Sequence, residues 1–200
     1  RAALEQERYH VLYISCHAAP GVLILEDGKG GADEVNAGRL WREALPAGRS
    51  VALTVLAGCS TARDPANRAE AKEEALPGVA RDLVAHGAPA VIAMQGPVGD
   101  IYATKLAGAL FEALATWEEP LPLRAFAEAR RAVERERQED QTPRHPPPEW
   151  ATPALFTARD PLPLYDTAAK FEAVEVTAEP RFDRGVVARR IGHMVGRRRE

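Results

Sequence analysis

The sequence predicts an α/β protein, a three-layer α/β/α sandwich built on a mainly parallel sheet. Short apolar runs rich in β-branched and aromatic residues recur along the chain, and helical patterns separate one run from the next. The runs are apolar throughout instead of alternating with polar residues, as expected for parallel strands that are covered on both faces. Of the 200 residues, 46% are hydrophobic, which is enough to form the core of one such domain.

Three of the apolar runs, at residues 9–15, 51–56 and 90–94, are predicted to be the parallel and central strands of the sheet. A further run at 21–26 ends in a turn at 27–31, where the sequence DGKGG offers several positions for positive φ. The core residues predicted for the sheet and its covering helices are Val11, Leu12, Val51, Leu53, Val55, Val91, Ile92, Leu106, Leu110 and Phe126.

Helical patterns fill the segments between the strands. Asn36 is expected to cap a helix that runs to about Ala44, because an asparagine side chain can accept a hydrogen bond from the first helical turn. Residues 138–149 contain four prolines and are expected to form an extended loop. The remaining predicted elements are a helix between Pro77 and Gly87, helices over Asp100–Ala115 and Leu123–Arg137, and a last short strand over Ala154–Thr157.

Charge and cysteine content exclude several classes of protein. The formal net charge is −3 and the sequence pI is about 6.0, so a general nucleic-acid binder is not expected. No stretch of eighteen apolar residues exists that could cross a membrane. The two cysteines, Cys16 and Cys59, cannot build a disulfide framework and suit a reducing compartment. We therefore expect a cytoplasmic protein without a membrane partner.

Two residues with catalytic chemistry follow predicted strands. His17 comes after the strand at 9–15, and Cys59 comes after the strand at 51–56. In an open parallel sheet, functional groups collect at the carboxyl ends of the strands, so these side chains are expected to meet if the strands are neighbours. A histidine can take the proton of a cysteine thiol and later protonate a leaving amine. The backbone N–H of Cys59 can also donate to a developing oxyanion.

The alternative interpretation is structural. Cys59 is then a small buried hydrophobic residue and His17 a loop histidine, and the two interpretations stand about even. Cys16 and His17 are adjacent and should point in opposite directions on extended backbone, so they make a poor pair of metal ligands. No metal site and no cofactor are predicted.

Seven blocks of the sequence, in their order and spacing, resemble the CHAT domain, a caspase-like cysteine peptidase family of clan CD. The resemblance covers about residues 1–166. The blocks are YHVLYISCH, GVLILEDG, VALTVLAGCSTA, LPGVARDLVAHGAPAVIAMQGPVGD, YATKLAGALFEAL, LRAFAEARRAV and WATPALFTARDPLPLYD.

The resemblance implies a caspase-like fold and hydrolysis of amide bonds through an acyl-enzyme thioester. It makes His17 the general base and Cys59 the nucleophile, with the backbone N–H groups of Ala18 and Cys59 as oxyanion donors. The family usually has glycine where this chain has Ala18. The family's sheet also has further strands before the histidine strand, which would lie upstream of Arg1.

The carboxyl-terminal residues resemble a different family. The segment 191–200, IGHMVGRRRE, is similar to the start of many STAND-type ATPase domains. We therefore expect a CHAT domain at 1–166, a linker at 167–187 and the beginning of an ATPase-like domain at 188–200, within a longer protein. The alternative is a basic tail that binds nucleic acid or membrane, since residues 181–200 hold seven arginines against two acidic residues. The phosphate-binding motif of ATPases does not occur in the sequence.

Together these features predict a caspase-like endopeptidase that a downstream ATPase-type module regulates, as in bacterial signalling and self-defence proteins. Its expected partners are a protein or peptide substrate and the ATPase-like domain of the same chain, and self-association of the full-length protein stays open. The first alternative is a catalytically weak or inactive scaffold of the same fold that binds other proteins, which the alanine at position 18 favours slightly. The second alternative is a binding protein that uses its basic tail.

Overall fold

The computed structural model describes residue 4 and residues 9–19, 21–45, 51–58, 78–139, 149–160 and 162–168. Residues 1–167 form one compact unit and residues 168–200 another. The elements of the described chain are β1 (Val11–Ile14), β2 (His17–Ala19), β3 (Val22–Glu26), β4 (Ala32–Asn36), α1 (Ala37–Ala44), β5 (Leu53–Leu56), α2 (Val79–Ala85), β6 (Ala90–Met94), α3 (Asp100–Thr116), α4 (Pro122–Glu139) and β7 (Pro153–Thr157).

The main sheet has the strand order β1-β5-β6-β7. β1, β5 and β6 run parallel, and β7 runs antiparallel to β6, so the predicted mainly parallel sheet is confirmed. One detail of the prediction was wrong, because β1 lies at the edge of the sheet in the described residues and not at its centre. Val11 and Leu12 are consequently only half-buried, whereas the other eight predicted core residues are buried.

Each inner strand contributes side chains to two separate apolar clusters, because successive residues of a strand point to opposite faces of the sheet. Leu53 and Val55 of β5 pack with α3 and α4 in the first cluster. Leu56 packs on the opposite face in the second cluster, together with side chains of α1, α2 and β3 such as Leu83 and Leu23. Helices therefore cover both faces of the sheet, as predicted for a three-layer α/β/α sandwich.

A second sheet, β2-β3-β4, is antiparallel and was not expected from the sequence. β3 contains the predicted apolar run, but it pairs with β2 and β4 and not with the main sheet. The turn between β3 and β4 is the predicted one. The Asp27 carboxylate accepts hydrogen bonds from the backbone N–H groups of Lys29 and Gly31, and Gly30 has a φ of +85°.

The helices match their predictions closely. The Asn36 side chain accepts a 2.8 Å hydrogen bond from the N–H of Arg39, which caps α1 as expected. The turn after α2 contains Gly87 at a φ of +109°, a conformation that favours glycine. No helix in the described ranges is both long enough and apolar enough to span a membrane.

The chain that follows β7 packs against the connection between α3 and α4. Leu164 is buried in the first cluster, and its N–H donates to the carbonyl of Pro120. The Tyr165 hydroxyl donates to the carbonyl of Leu114 at 2.5 Å. Apart from Thr167 and Ala168, the predicted linker and the predicted ATPase-like segment lie outside the described residues.

Candidate active site

The carboxyl ends of β1, β5 and β6 meet at one edge of the main sheet, where the sequence predicts catalysis. Ile14, the last residue of β1, is in register with Leu56, the last residue of β5. Leu56 is in turn in register with Ala93 of β6. The N–H of Ala57 donates a 2.8 Å hydrogen bond to the carbonyl of Ile14, so the parallel pairing continues one residue beyond β5.

His17 stands three residues after Ile14 and is the first residue of β2. Its backbone is therefore fixed in the second sheet, opposite Ile24 of β3, and is not part of an irregular loop. Its neighbours Cys16 and Ala18 pack against the second cluster, which leaves the imidazole on the other side of the strand, exposed to solvent. The imidazole is therefore accessible from solvent.

Cys16 faces the protein interior, as predicted from its place next to His17. The side chain is half-buried against the second cluster. Burial raises the pKa of the Cys16 thiol, and a hydrogen bond with the backbone of Ile24 offsets part of that rise. At neutral pH Cys16 is consequently a weaker nucleophile than a free cysteine.

Cys59 lies outside the described residues, and the last described residue before it is Gly58. Its distance to His17 and the position of its N–H are therefore not part of this structure. Ala18, the other predicted oxyanion donor, lies in β2 opposite Leu23 and is half-buried. The predicted pairing of His17 with Cys59 stays a prediction.

The sequence analysis missed a group of contacts at the same edge of the sheet. The connection between β6 and α3, Gln95–Gly99, is hydrogen-bonded to the segment that leads into β7, Glu149–Thr152. Glu149 was assigned to a proline-rich loop and given no role. One signal could have revealed it, because Gly99 precedes a strong helix and supplies no capping side chain of its own.

Two features of the described residues bear on other kinds of site. No group of three or more histidine, cysteine, aspartate or glutamate side chains in the described ranges could hold a metal ion. A shallow depression of about 480 Å³ lies at the α3–α4 connection, which is at the other end of α3 from the carboxyl edge of the sheet. It is lined by Glu118, Glu119, Pro120, Leu162, Pro163, Tyr165, Asp166 and Thr167.

The model of the CHAT domain matches residues 1–158, which is most of the chain and includes both His17 and Cys59. No curated protein matches the sequence significantly. The match spans the main sheet, the second sheet and all four described helices. The chain therefore belongs to the CHAT domain family, which is related to the caspase-like peptidases.

Proposed function

We propose that this chain is a cysteine endopeptidase in which His17 is the general base and Cys59 the nucleophile. The observation that carries the proposal is the register of β1 with β5. Ile14 and Leu56 are paired, and His17 and Cys59 each follow one of these two residues by three positions. In the sequence, the two residues that the chemistry requires therefore follow two neighbouring parallel strands at the same distance.

The reaction would proceed by covalent catalysis. The imidazole of His17 takes the thiol proton of Cys59, and the thiolate attacks the carbonyl carbon of the scissile peptide bond. The backbone N–H groups of Ala18 and Cys59 donate to the oxyanion of the tetrahedral intermediate. The C–N bond then breaks, the imidazolium gives its proton to the leaving amine, and water hydrolyses the thioester with the imidazole as base.

The regulation of the peptidase is part of the same proposal. The Arg-rich residues 188–200 are the start of an ATPase-like module, and residues 167–187 link it to the peptidase domain at 1–166. In this arrangement the module controls access of a protein or peptide substrate in the bacterial cytoplasm, with self-association of the full-length protein as one way to do so. The supporting observation is the similarity of residues 191–200 to the opening of STAND-type ATPase domains.

A second function, a non-catalytic scaffold of the same fold, is favoured by one residue. Ala18 replaces the glycine that the family usually has after the histidine, and its side chain packs against the second cluster. If that packing holds the N–H of Ala18 away from a substrate carbonyl, the oxyanion is less well stabilised. A hydrogen-bond donor of this kind is worth about 10²–10³-fold in rate.

Competitive labelling of the two cysteines tests the proposal. Iodoacetamide at pH 7 should modify Cys59 before Cys16, because imidazole proximity lowers the pKa of a thiol and burial raises that of Cys16. His17→Ala should slow the labelling of Cys59 about tenfold, whereas His10→Ala, which removes an exposed histidine next to β1, should not. Cys59→Ala should abolish peptidase activity and leave the fold intact.

Two outcomes would contradict the proposal. The first is faster labelling of Cys16 than of Cys59, measured by mass spectrometry of the digested protein. The second is an unchanged rate for Cys59 in the His17→Ala variant. Either result would favour the second function, a scaffold without catalytic activity.

A further inference from the structure

The loop between β6 and α3, residues 95–99, is held at both of its ends by the segment 149–152. At its start, the N–H of Gln95 donates to the carbonyl of Thr152 at 2.8 Å. At its end, the N–H of Gly99 donates to the carboxylate of Glu149 at 2.5 Å. Between these bonds there is open space beside Gly96, where an added Cβ would meet no atom within 4 Å, whereas Val98 packs against the first cluster.

Glycine at position 99 leaves room for the close approach of the Glu149 carboxylate. A Cβ at position 99 would lie 3.3 Å and 3.4 Å from the two carboxylate oxygens of Glu149, closer than most real Cβ contacts. The backbone of Gly99, with φ −72° and ψ 142°, would accept any residue. The absence of a side chain therefore serves the approach of the carboxylate. Glu149 also places a negative charge at the amino end of α3, where the helix dipole favours it.

The residue that follows Glu149 is held by α4. The neighbouring Trp150 ring lies 5.4 Å from the Arg130 guanidinium, which lies equally far from the Phe126 ring on its own helix. The Nε of Arg130 donates to the carbonyl of Trp150 at 2.7 Å. The segment 149–152 is thus bonded both to α4 and to the 95–99 loop. The position of the loop therefore depends on α4 through this segment.

The 95–99 loop lies beside the proposed catalytic segment. β5 and β6 are parallel neighbours, with Leu56 opposite Ala93, and the loop begins two residues after Ala93. His17 lies on the other side, where β1 pairs with β5. A peptide that lies across the carboxyl edge of the sheet from the β1 side to the β6 side must therefore pass the 95–99 loop.

We propose that Glu149 is a positioning residue that fixes the 95–99 loop as the β6-side boundary of the peptide-binding groove. The inference rests on the proposed function, because it assumes that a peptide binds at this edge. Glu149 does not react with the substrate. It acts through the N–H of Gly99, and its loss should weaken the binding of extended peptides without changing the chemistry of the thiol.

Two thiol reagents of different size can separate these effects. Tetrapeptidyl acyloxymethyl ketones, used as a mixture with varied side chains, must bind in the groove before they react with the thiol. Iodoacetamide is small and its rate depends only on the reactivity of the thiol. Glu149→Ala should slow the labelling of Cys59 by the peptidyl reagents about tenfold, which corresponds to the loss of one charge-assisted hydrogen bond. Its labelling by iodoacetamide should stay within about twofold of the unsubstituted chain, because the dyad itself is untouched.

Three further variants sharpen the test. Glu149→Gln keeps an acceptor without the charge and should give an intermediate loss. Gly99→Ala displaces the same carboxylate by a few tenths of an ångström and should give a smaller loss than Glu149→Ala. Glu112→Gln is the matched control, since it removes an exposed carboxylate near the far end of α3 and should change neither rate.

The outcomes are distinguishable. Equal peptidyl labelling of the unsubstituted chain and of Glu149→Ala would overturn the positioning role and leave the proposed function standing. An equal fall in both rates would overturn it as well, because the thiol itself would then be disturbed. If the peptidyl reagents fail to label Cys59 in the unsubstituted chain while iodoacetamide succeeds, the proposed function fails and this inference fails with it.

Discussion

Two regions at the carboxyl edge of the main sheet are held in place by different means. His17 is fixed by backbone pairing, because β2 lies in an antiparallel sheet opposite β3. No residue of the 95–99 loop belongs to a strand, and the loop is bonded to the carboxylate of Glu149 and to the segment that carries it. Backbone pairing survives most side-chain substitutions, whereas a side-chain contact is lost with one. The histidine is thus the robust part of the candidate site, and the loop is the adjustable part.

The largest expected effect on the free energy of unfolding comes from a substitution in the core beneath the His17 region. Leu23 of β3 is fully buried and lies opposite Ala18. Leu23→Ala should lower the free energy of unfolding by about 3 kcal/mol, the usual cost of a cavity in a core. Ile24→Ala, at the next and only half-buried position, should cost about 1 kcal/mol. Urea denaturation measures both, and equal costs would show that the second sheet does not depend on this packing.

A smaller effect is expected at the support of the 95–99 loop. Arg130→Ala removes two ring contacts and the hydrogen bond to Trp150, and it should lower the free energy of unfolding by about 1.5 kcal/mol. The neighbouring Arg131 has an exposed side chain that pairs with Glu128, so Arg131→Ala should cost less than about 0.5 kcal/mol. Thermal melting of the two variants makes the comparison. A cost for Arg130→Ala no larger than that for Arg131→Ala would argue against the described support.

The smallest effect concerns the link between the second sheet and α1. Arg39 forms two hydrogen bonds with the Asp33 carboxylate, which lower the pKa of Asp33 from its ordinary value. A lowered pKa stabilises the folded state above the ordinary carboxyl range, and this contribution is lost as the pH falls through the lowered value. Asp33→Asn should therefore reduce stability at pH 7 and leave it nearly unchanged once the carboxyl is protonated.

A double-mutant cycle isolates that pair. Combining Asp33→Asn with Arg39→Gln should reveal a coupling free energy at pH 7 that disappears in acid, measured by urea denaturation at each pH. A coupling that persists at a pH below the titration of Asp33 would mean that the charge of the carboxylate is not its source.

The sequence predicted the elements that are determined by local pattern. β5 and β6 are apolar throughout because both faces are buried, and Asn36 caps its helix through its own side chain. β4, with the sequence ADEVN, has too polar a pattern to be recognised, and it becomes a strand because β3 pairs with it. Val11 and Leu12 were misjudged because an edge strand and a central strand can have the same apolar sequence.

In the candidate site, too, the features set by local sequence were predictable and those set by distant contacts were not. The position of His17 after a strand follows from the sequence, and the direction of Cys16 follows from the alternation of side chains on extended backbone. The lack of a capping side chain at Gly99 indicates that some other group must bond there, but the sequence does not identify Glu149 as that group. Glu149 is fifty positions away, and its contact with Gly99 depends on how β7 returns beside β6. The approach of His17 to Cys59 stays a prediction.

The 17-residue helix α3 is about 25 Å long. Residues on the two sides of β7 form hydrogen bonds near its two ends. At one end Glu149, just before β7, bonds to the N–H of Gly99. At the other end Tyr165, shortly after β7, bonds to the carbonyl of Leu114. The segments before and after β7 therefore connect the two ends of α3 to the same strand. Changes at Tyr165 and at Glu149 therefore act near opposite ends of the same helix.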